Sequence, residues 1–537
     1  MFAYKKIFFL ALWGGAYCSA LVAQSSDSIS RRSFSYIRQS EAWLQSENAA
    51  GLRELPVEHI SIAEIYAGKQ DGKFVNYNQS ANSYELGAET ESFYRLNPKV
   101  VFYGKISYNY FLGKNMAGSV FIHPEDAPFD IVEASDENRG NKTQETYHLI
   151  GAVSADIAPK VTLGGKVDYT ASNYAKQKDL RHVNKLLDMS VTAGLNYRPN
   201  RWVELGANYY YRRSTEGVLL SVYGTTDRIY KSLISYGAFF GTTEQFGEDG
   251  YTKINEEKPM FNEYHGGSFQ LKVNIRPQLS LFNELSYKSR SGYYGKKSTI
   301  TVRYSDHEST SWAYNATLTL SERKNLHQLT AGFSTEKLNN LENIYRSENL
   351  EGGKNTINYY GTLDTTDKTV KKIRAAYTGN FGISDFCPTW VLRGGIEYYS
   401  RDIKASLYPY YRKQDIHQTA FQLSGERNFV CGKDMFSVLL GAGYVSGGGN
   451  AQKDGYYATP SESQTPPKTM DTYLYREYEY LTCNQLKAEA GVKYARSIGK
   501  TIQGYTSFRY ALTKATDVKY LEGDQRHELR LTVGCTF

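Results

Sequence analysis

The sequence predicts an all-β fold, a transmembrane antiparallel β-barrel of about 18 strands, with about 16 to 20 compatible with the pattern. Three observations carry this expectation. The chain ends on an amphipathic strand, the same alternation recurs along most of its length, and short connections alternate with long ones.

The terminal strand sets the pattern. His527, Leu529, Leu531, Val533, Cys535 and Phe537 alternate with Glu528, Arg530, Thr532, Gly534 and Thr536. A period of two places one set on a single apolar face. A strand of this kind closing on Phe537 resembles the signal that outer-membrane barrels present to the barrel assembly machinery, an expected partner. Stripes of the same type follow Met189 to Tyr197, Val203 to Tyr211, Phe269 to Ile275, Leu279 to Tyr287 and Phe436 to Tyr444. Each fits the roughly 9–11 residues with which a tilted strand crosses a bilayer.

The connections give the topology. Asn97-Pro98, Ala158-Pro159, Pro199-Asn200, Pro277-Gln278 and the stretch 496–499 read as tight turns. Between them lie long polar segments near 112–143, 214–264, 338–368 and 448–478. Such alternation is expected of short periplasmic turns and longer extracellular loops. Counting back from the end places strands at 525–537, 500–513, 480–494, 434–447, 414–427, 387–401, 369–382, 325–337, 308–320, 279–292, 265–276, 201–213, 187–198, 161–173, 144–156, 99–111 and 83–96. The segment 57–80, broken by Asp71-Gly72, completes an even number.

The start of the chain reads as a secretory signal over 1–23: Lys5 and Lys6, an apolar run from Ile7 to Trp13, and small residues up to Ala23. Residues 24–56 form a short lead-in and 57–537 the barrel. Mean hydropathy is −0.53, which a barrel tolerates because only alternate residues are apolar. The charge of +7 is too mild for a chain of this length to imply nucleic-acid binding. Tyrosine is abundant, 47 residues against 24 Phe and 5 Trp, and its amphipathic ring suits a membrane–water interface. The Tyr473, Tyr475, Tyr478 and Tyr480 cluster is expected to form part of such a girdle, with sugar stacking as the alternative. The expected location is the cell outer membrane, with its lipid as a partner.

The stretch Trp43 to Leu52, with Tyr84-Glu85-Leu86-Gly87 to Tyr103-Gly104-Lys105, resembles a family of outer-membrane barrels from Bacteroidota that has no assigned activity. The resemblance implies fold and location, not a substrate. Ser46 to Leu52 also resembles the Asn-Pro-Ala-Gly-Leu motif of the long-chain fatty-acid transporters, whose short N-terminal hatch sits inside the barrel. Here Ala49 stands in the Pro position. The lead-in either caps the barrel mouth or enters the lumen as a hatch. In the second case Asn48 would hydrogen-bond to the wall, and Gly51 in its small-residue run would allow close backbone approach.

The polar strand faces hold the candidate lumen residues. Lys166 and Asp168, Lys272, Glu284 and Lys288, Arg393 and Glu397, and Lys487 and Glu489 should point inward, because a charge facing lipid costs about 2–4 kcal/mol at the midplane. They either select a polar solute or form a cross-strand network filling a blocked interior. Cys387 and Cys431 lie in successive short turns of an oxidising compartment and are an expected disulfide. The nine histidines show no metal-ligand spacing. His265 and Ser268 resemble a hydrolase fragment, but residues three apart on a strand face opposite ways. No catalytic residue, cofactor or metal is expected. The leading functional reading is a channel or transporter for a small solute. The alternatives are a non-transporting barrel that anchors a surface complex, with a surface lipoprotein as companion, and an outer-membrane enzyme.

Overall fold

Period-two patterning and closure explain nearly the whole architecture of the computed structural model, which describes residues 32–223, 228–248, 250–298, 301–350, 354–499 and 501–537. The expected signal peptide, 1–23, and residues 24–31 lie outside the described residues.

Eighteen strands form one closed antiparallel sheet. In order they are β1 (His59–Asp71), β2 (Asn82–Asn97), β3 (Val100–Met116), β5 (Gly140–Ala158), β6 (Val161–Lys176), β7 (Arg181–Tyr197), β8 (Val203–Ser221), β11 (Lys258–Arg276) and β12 (Leu279–Gly295). There follow β13 (Arg303–Glu322), β14 (Asn325–Leu350), β15 (Lys354–Phe381), β16 (Trp390–Leu407), β17 (Tyr410–Cys431), β18 (Asp434–Tyr456), β20 (Gln485–Ile498), β21 (Ile502–Ala515) and β22 (Gln525–Thr536). The ring closes where β1 pairs β22, with Ala67 opposite Leu531 and Ile65 opposite Val533. Phe537 extends the closure: Ser61 and Phe537 exchange both backbone hydrogen bonds, at 2.8 and 3.0 Å.

The outward residues are apolar at mid-height, among them Ile106, Leu187, Leu285, Phe333, Ile373, Leu423 and Leu440, all exposed. Aromatic rings flank this band. Tyr94, Trp202, Trp390 and Phe436 are exposed toward the short turns, and Tyr147, Tyr209, Tyr287 and Trp312 toward the long connections. A closed sheet satisfies every strand's backbone groups internally, which lipid demands. No helix among the described residues is long and apolar enough to cross a membrane.

The expected strands appear in register, but several run farther toward the long connections. The segment 338–368 is no loop: β14 reaches Leu350 and β15 starts at Lys354, paired along most of their length. Beyond the apolar band both faces meet water, so the hydrophobic alternation fades while the hydrogen-bond ladder continues.

Parts of three long connections fold back inside. Strands β4 (Asp130–Glu133), β9 (Lys231–Ser235), β10 (Phe240–Gln245) and β19 (Lys468–Thr469) form a second sheet in the order β19-β10-β9-β4. Helix α3 (Asp471–Thr482) follows β19. Phe121, Phe129, Ile131, Ile234, Tyr236 and Phe240 of these inserts pack on Val218, Leu220, Met260, Tyr294 and Ala405 of the wall. The insert therefore spans the lumen at the long-connection end. Tyr473, expected in an outer girdle, is a buried residue of α3 that packs on Tyr77 and Phe239. The correction has a simple cause: the spacing of two between Tyr473 and Tyr475 fits a strand face and the spacing of seven between Tyr473 and Tyr480 a helix face, so the cluster alone does not choose.

Replacing outward Leu440, 63% exposed, with Arg is expected to destabilise the barrel by about 2–4 kcal/mol. Ala376→Gln, on the inward face, is expected to be near neutral. Urea unfolding followed by the heat-dependent gel shift distinguishes the two.

Candidate functional site

In the lumen between the short-turn end and the insert, polar side chains from many strands converge on one space, and it is unequally filled. On one side lies the N-terminal segment: α1 (Phe34–Ser40), α2 (Ala42–Gln45) and a 3-10 turn, Ala49–Glu54. Ser33 caps α1, its side chain accepting from Tyr36 N, and Asn48 caps the 3-10 turn through Ala50 N, satisfying otherwise orphaned amides.

Asn48 is 1% exposed. Its Nδ2 donates to Leu195 O at 2.9 Å, to Gln270 Oε1 at 3.0 Å and to Ala207 O at 3.3 Å. The wall makes room with glycine at inward positions of three successive strands. A Cβ on Gly164 of β6 would lie 2.0 Å from Ala50 N, one on Gly194 of β7 2.0 Å from Asn48 Oδ1, and one on Gly206 of β8 2.6 Å from the Trp43 ring. Gly51 is equally constrained, since a Cβ there would lie 2.5 Å from Trp43 O. Trp43 is buried and meets Phe282 edge-on at 5.0 Å. Charged pegs complete the seat: Lys272 with Glu41 at 3.0 Å, Lys288 with Glu47 at 2.5 Å, and Glu47 N donating to Glu284 Oε1 at 3.1 Å. At the rim Arg53 pairs with Asp156, and Arg198 with Glu54 at 3.3 Å.

The nine sequence-selected lumen residues all lie on the inward faces and divide into groups. Lys272, Glu284 and Lys288 hold the N-terminal segment. Lys166 and Asp168 lie beside it on β6, where Asp168 meets His148 Nε2 at 2.8 Å. Arg393, Glu397, Lys487 and Glu489 face the unfilled side, Arg393 pairing with Glu426 at 3.6 Å and Glu489 with Arg509 at 3.1 Å. Exposure marks that side sharply. Residues 371–377 of β15 are exposed without interruption, as are 396–398 of β16, 421–423 of β17, 486–488 of β20 and 528–531 of β22. Alternate residues in these runs point to opposite faces, so the wall is wetted inside as well as bare outside. On β7, by contrast, burial alternates strictly over Thr192 to Asn196.

Sequence reasoning missed the glycine seat, and it placed Arg290 on the inward face without the insert that this and other wall cations grip. Lys368 Nζ donates to Glu125 O and Ala127 O at 2.9 and 3.0 Å, and Arg290 to Asp126 O at 3.0 Å. Lys142 donates to Ser119 O at 2.6 Å and Arg412 to Ala238 O at 3.3 Å. Inward glycines on three neighbouring strands, Gly164 opposite Gly194 and Gly206 one inward position further along, were the available signal for the seat. Nothing local marks which lysine meets a carbonyl from a distant loop.

Within the insert, the buried Asp130 carboxylate accepts from Ser119 Oγ at 2.5 Å and Tyr77 OH at 3.0 Å. Burial pushes its pKa from 3.8 up to about 6, against the lowering effect of those hydrogen bonds and of Lys142. Neighbouring Glu133, paired with Lys176 at 2.5 Å, is raised by burial as well.

His265 points outward, 2.7 Å from Tyr209 OH, while inward Ser268 donates to Asn208 Oδ1 at 2.6 Å, so the two do not cooperate. Among the described residues no cluster of His, Cys, Asp and Glu could hold a metal ion. The expected disulfide is not formed. Cys387 is buried, its Sγ 3.9 Å from Met435 Sδ, whereas Cys431 is an exposed free thiol on the outward face of β17. One turn residue facing inward and one strand residue facing outward cannot meet the geometry of a bridge.

The chain belongs to a family of unknown function, DUF6850. Its profile matches residues 49–537, so the DUF6850 region spans the 3-10 turn, the whole barrel and the insert. No curated protein sequence matches. Among solved structures, the chain is similar to BauA, the ferric preacinetobactin receptor of Acinetobacter baumannii, with 9% identity over 89% of this chain and 79% of that one, at a TM-score of 0.41. It is also similar to Fiu, the ferric-catecholate import receptor of E. coli K12, with 8% identity over 88% and 81%, at a TM-score of 0.35. The monoaromatic hydrocarbon channel CymD gives 8% identity over 93% of both chains and a TM-score of 0.32. Likeness at this level carries no conclusion about what DUF6850 proteins bind or pass.

Two outcomes follow for the lumen. Gly194→Val, which drives a side chain into Asn48, is expected to unseat the N-terminal segment and expose residues 32–54 to protease while the barrel stays folded. An acid whose pKa rises on folding holds a proton that the unfolded chain lacks, so the insert is held more tightly as pH falls from above about 6 toward 3.8. Hydrogen exchange of residues 117–134, corrected for intrinsic rates, should slow across this window, and Asp130→Asn should reduce the change to the part that the raised Glu133 carries.

Proposed function

We propose that the protein is an outer-membrane channel for a small polar solute, with the N-terminal segment as a hatch seated on one side of the lumen. The observation that carries this reading is the uninterrupted exposure of residues 371–377, a strand stretch bare on both faces. A barrel of this strand number is too wide for wall side chains to fill. The seated segment packs on β1–β3 and on β5–β12 and leaves water against β15–β22 at mid-height. An outer-membrane location is supported by the closed even-numbered barrel, its apolar band and its aromatic margins. The wetted strip is lined by Lys372, Arg374, Glu397, Gln422, Lys487 and Arg509, all exposed, so an apolar solute would find no apolar path along it.

Purified, folded mature chain in a planar bilayer should show steady conductance steps, and deletion of residues 24–52 should enlarge them. Silence in both proteins would contradict passage through the lumen. Silence in the intact chain alone would mean that the hatch closes the lumen entirely, against the side path.

A further inference from the structure

The wetted strip is not electrically neutral. On the inward faces of β15–β21, between the insert and the short turns, six described cations face three carboxylates. Glu426 is matched by Arg393 and Glu489 by Arg509, and Lys493 lies over the Tyr505 ring at 4.0 Å. Lys372, Arg374 and Lys487 remain, against Glu397 and, on the same face of neighbouring β14, Glu336, which accepts from Ser309 Oγ at 2.7 Å. Arg374 and Glu397 are register partners on adjacent strands, yet the guanidinium turns the other way and donates to Asn315 Oδ1 at 2.8 Å. Lys372 stands 5.9 Å from the centre of the Tyr399 ring. Both cations are exposed and keep donors for a passing solute.

The acidic residues of the adjoining wall do not cancel this excess. Glu64 accepts at 2.7 Å from the OH of Tyr505, the ring over which Lys493 lies, so that lysine offsets it; Glu89 pairs with Lys105 at 2.9 Å, and Glu91 with Arg38 at 3.1 Å. Glu85 is offset by Arg530, since both flank Gly68 in one register row.

Resting on the channel reading, we infer that the path is selective for anions and that its solute carries an oxyanion, a carboxylate or a phosphate. Uncompensated positive charge along a narrow wetted wall concentrates counter-ions and repels cations. Arg374 presents a planar fork matched to two oxygens, and Lys372 and Lys487 add point charges. Screening over about 8 Å at physiological ionic strength makes the preference fade as salt rises.

The test is the reversal potential of the folded mature chain in a bilayer under a potassium chloride gradient, at low ionic strength. Chloride should be preferred over potassium by about threefold or more. K372Q/R374Q/K487Q, with the native gel shift confirming folding, should abolish the preference while conductance steps persist, and E397Q should strengthen it. Replacing chloride by acetate or by phosphate separates the two oxyanions: the cognate class should depress the chloride current more than the other. Cation preference in the native chain, or an unchanged ratio in the triple variant, would overturn the inference while leaving the channel standing. A silent bilayer would overturn both, through the channel reading.

Discussion

Backbone hydrogen bonding with no water to satisfy it is the constraint on which the rest of the structure depends. In a bilayer an open sheet edge leaves donors and acceptors unpaired at several kcal/mol each, so β1 must find β22. The register between them, from Ile62 with Thr536 to Asp71 with His527, fixes which residues face lipid along the whole wall. A slip of one residue there would set the inward residues of one strand beside the outward residues of the other. Closure at eighteen strands then creates a second problem, an interior wider than the wall's own side chains can fill.

Two different solutions occupy that interior. The N-terminal segment sits against small residues, with backbone touching backbone at Gly164, the Asn48 side chain against Gly194, and that single buried amide bonding to three wall groups. The insert is gripped instead by long cations reaching loop carbonyls. Charged donors make strong hydrogen bonds to carbonyls, and removal of a peg would leave the partner unsatisfied. Neither filling reaches β15–β22 at mid-height, which leaves the lumen wet along one side. The asymmetry therefore follows from where glycine and lysine sit in the wall.

The barrel was legible in the sequence because lipid imposes a simple alternation, as in Leu529, Leu531 and Val533 against Glu528, Arg530 and Thr532. Inward direction was legible for the same reason at Lys272, Glu397 and Lys487. Where water lies on both sides, as in β14 beyond Lys337, the alternation carries no signal, and a long hairpin read as a loop. Helix α3 and the inner sheet were hidden because their partners, such as Tyr77 and Phe239 for Tyr473, come from distant connections. The Asn48 motif suggested contact with a wall, but which carbonyls it meets depends on the ring closing first. The Cys387 and Cys431 expectation failed on direction, since being in neighbouring turns does not decide which way a side chain points.

The central claim is that water runs along the β15–β22 side and not along the seat. Thiol accessibility during conduction tests it most directly, in a chain whose native cysteines are replaced by serine. Ala376→Cys on the open side should react with a charged thiol reagent and reduce the conductance, while Thr192→Cys beneath the N-terminal segment should leave it unchanged. Reaction and block at Thr192→Cys with none at Ala376→Cys would contradict the account.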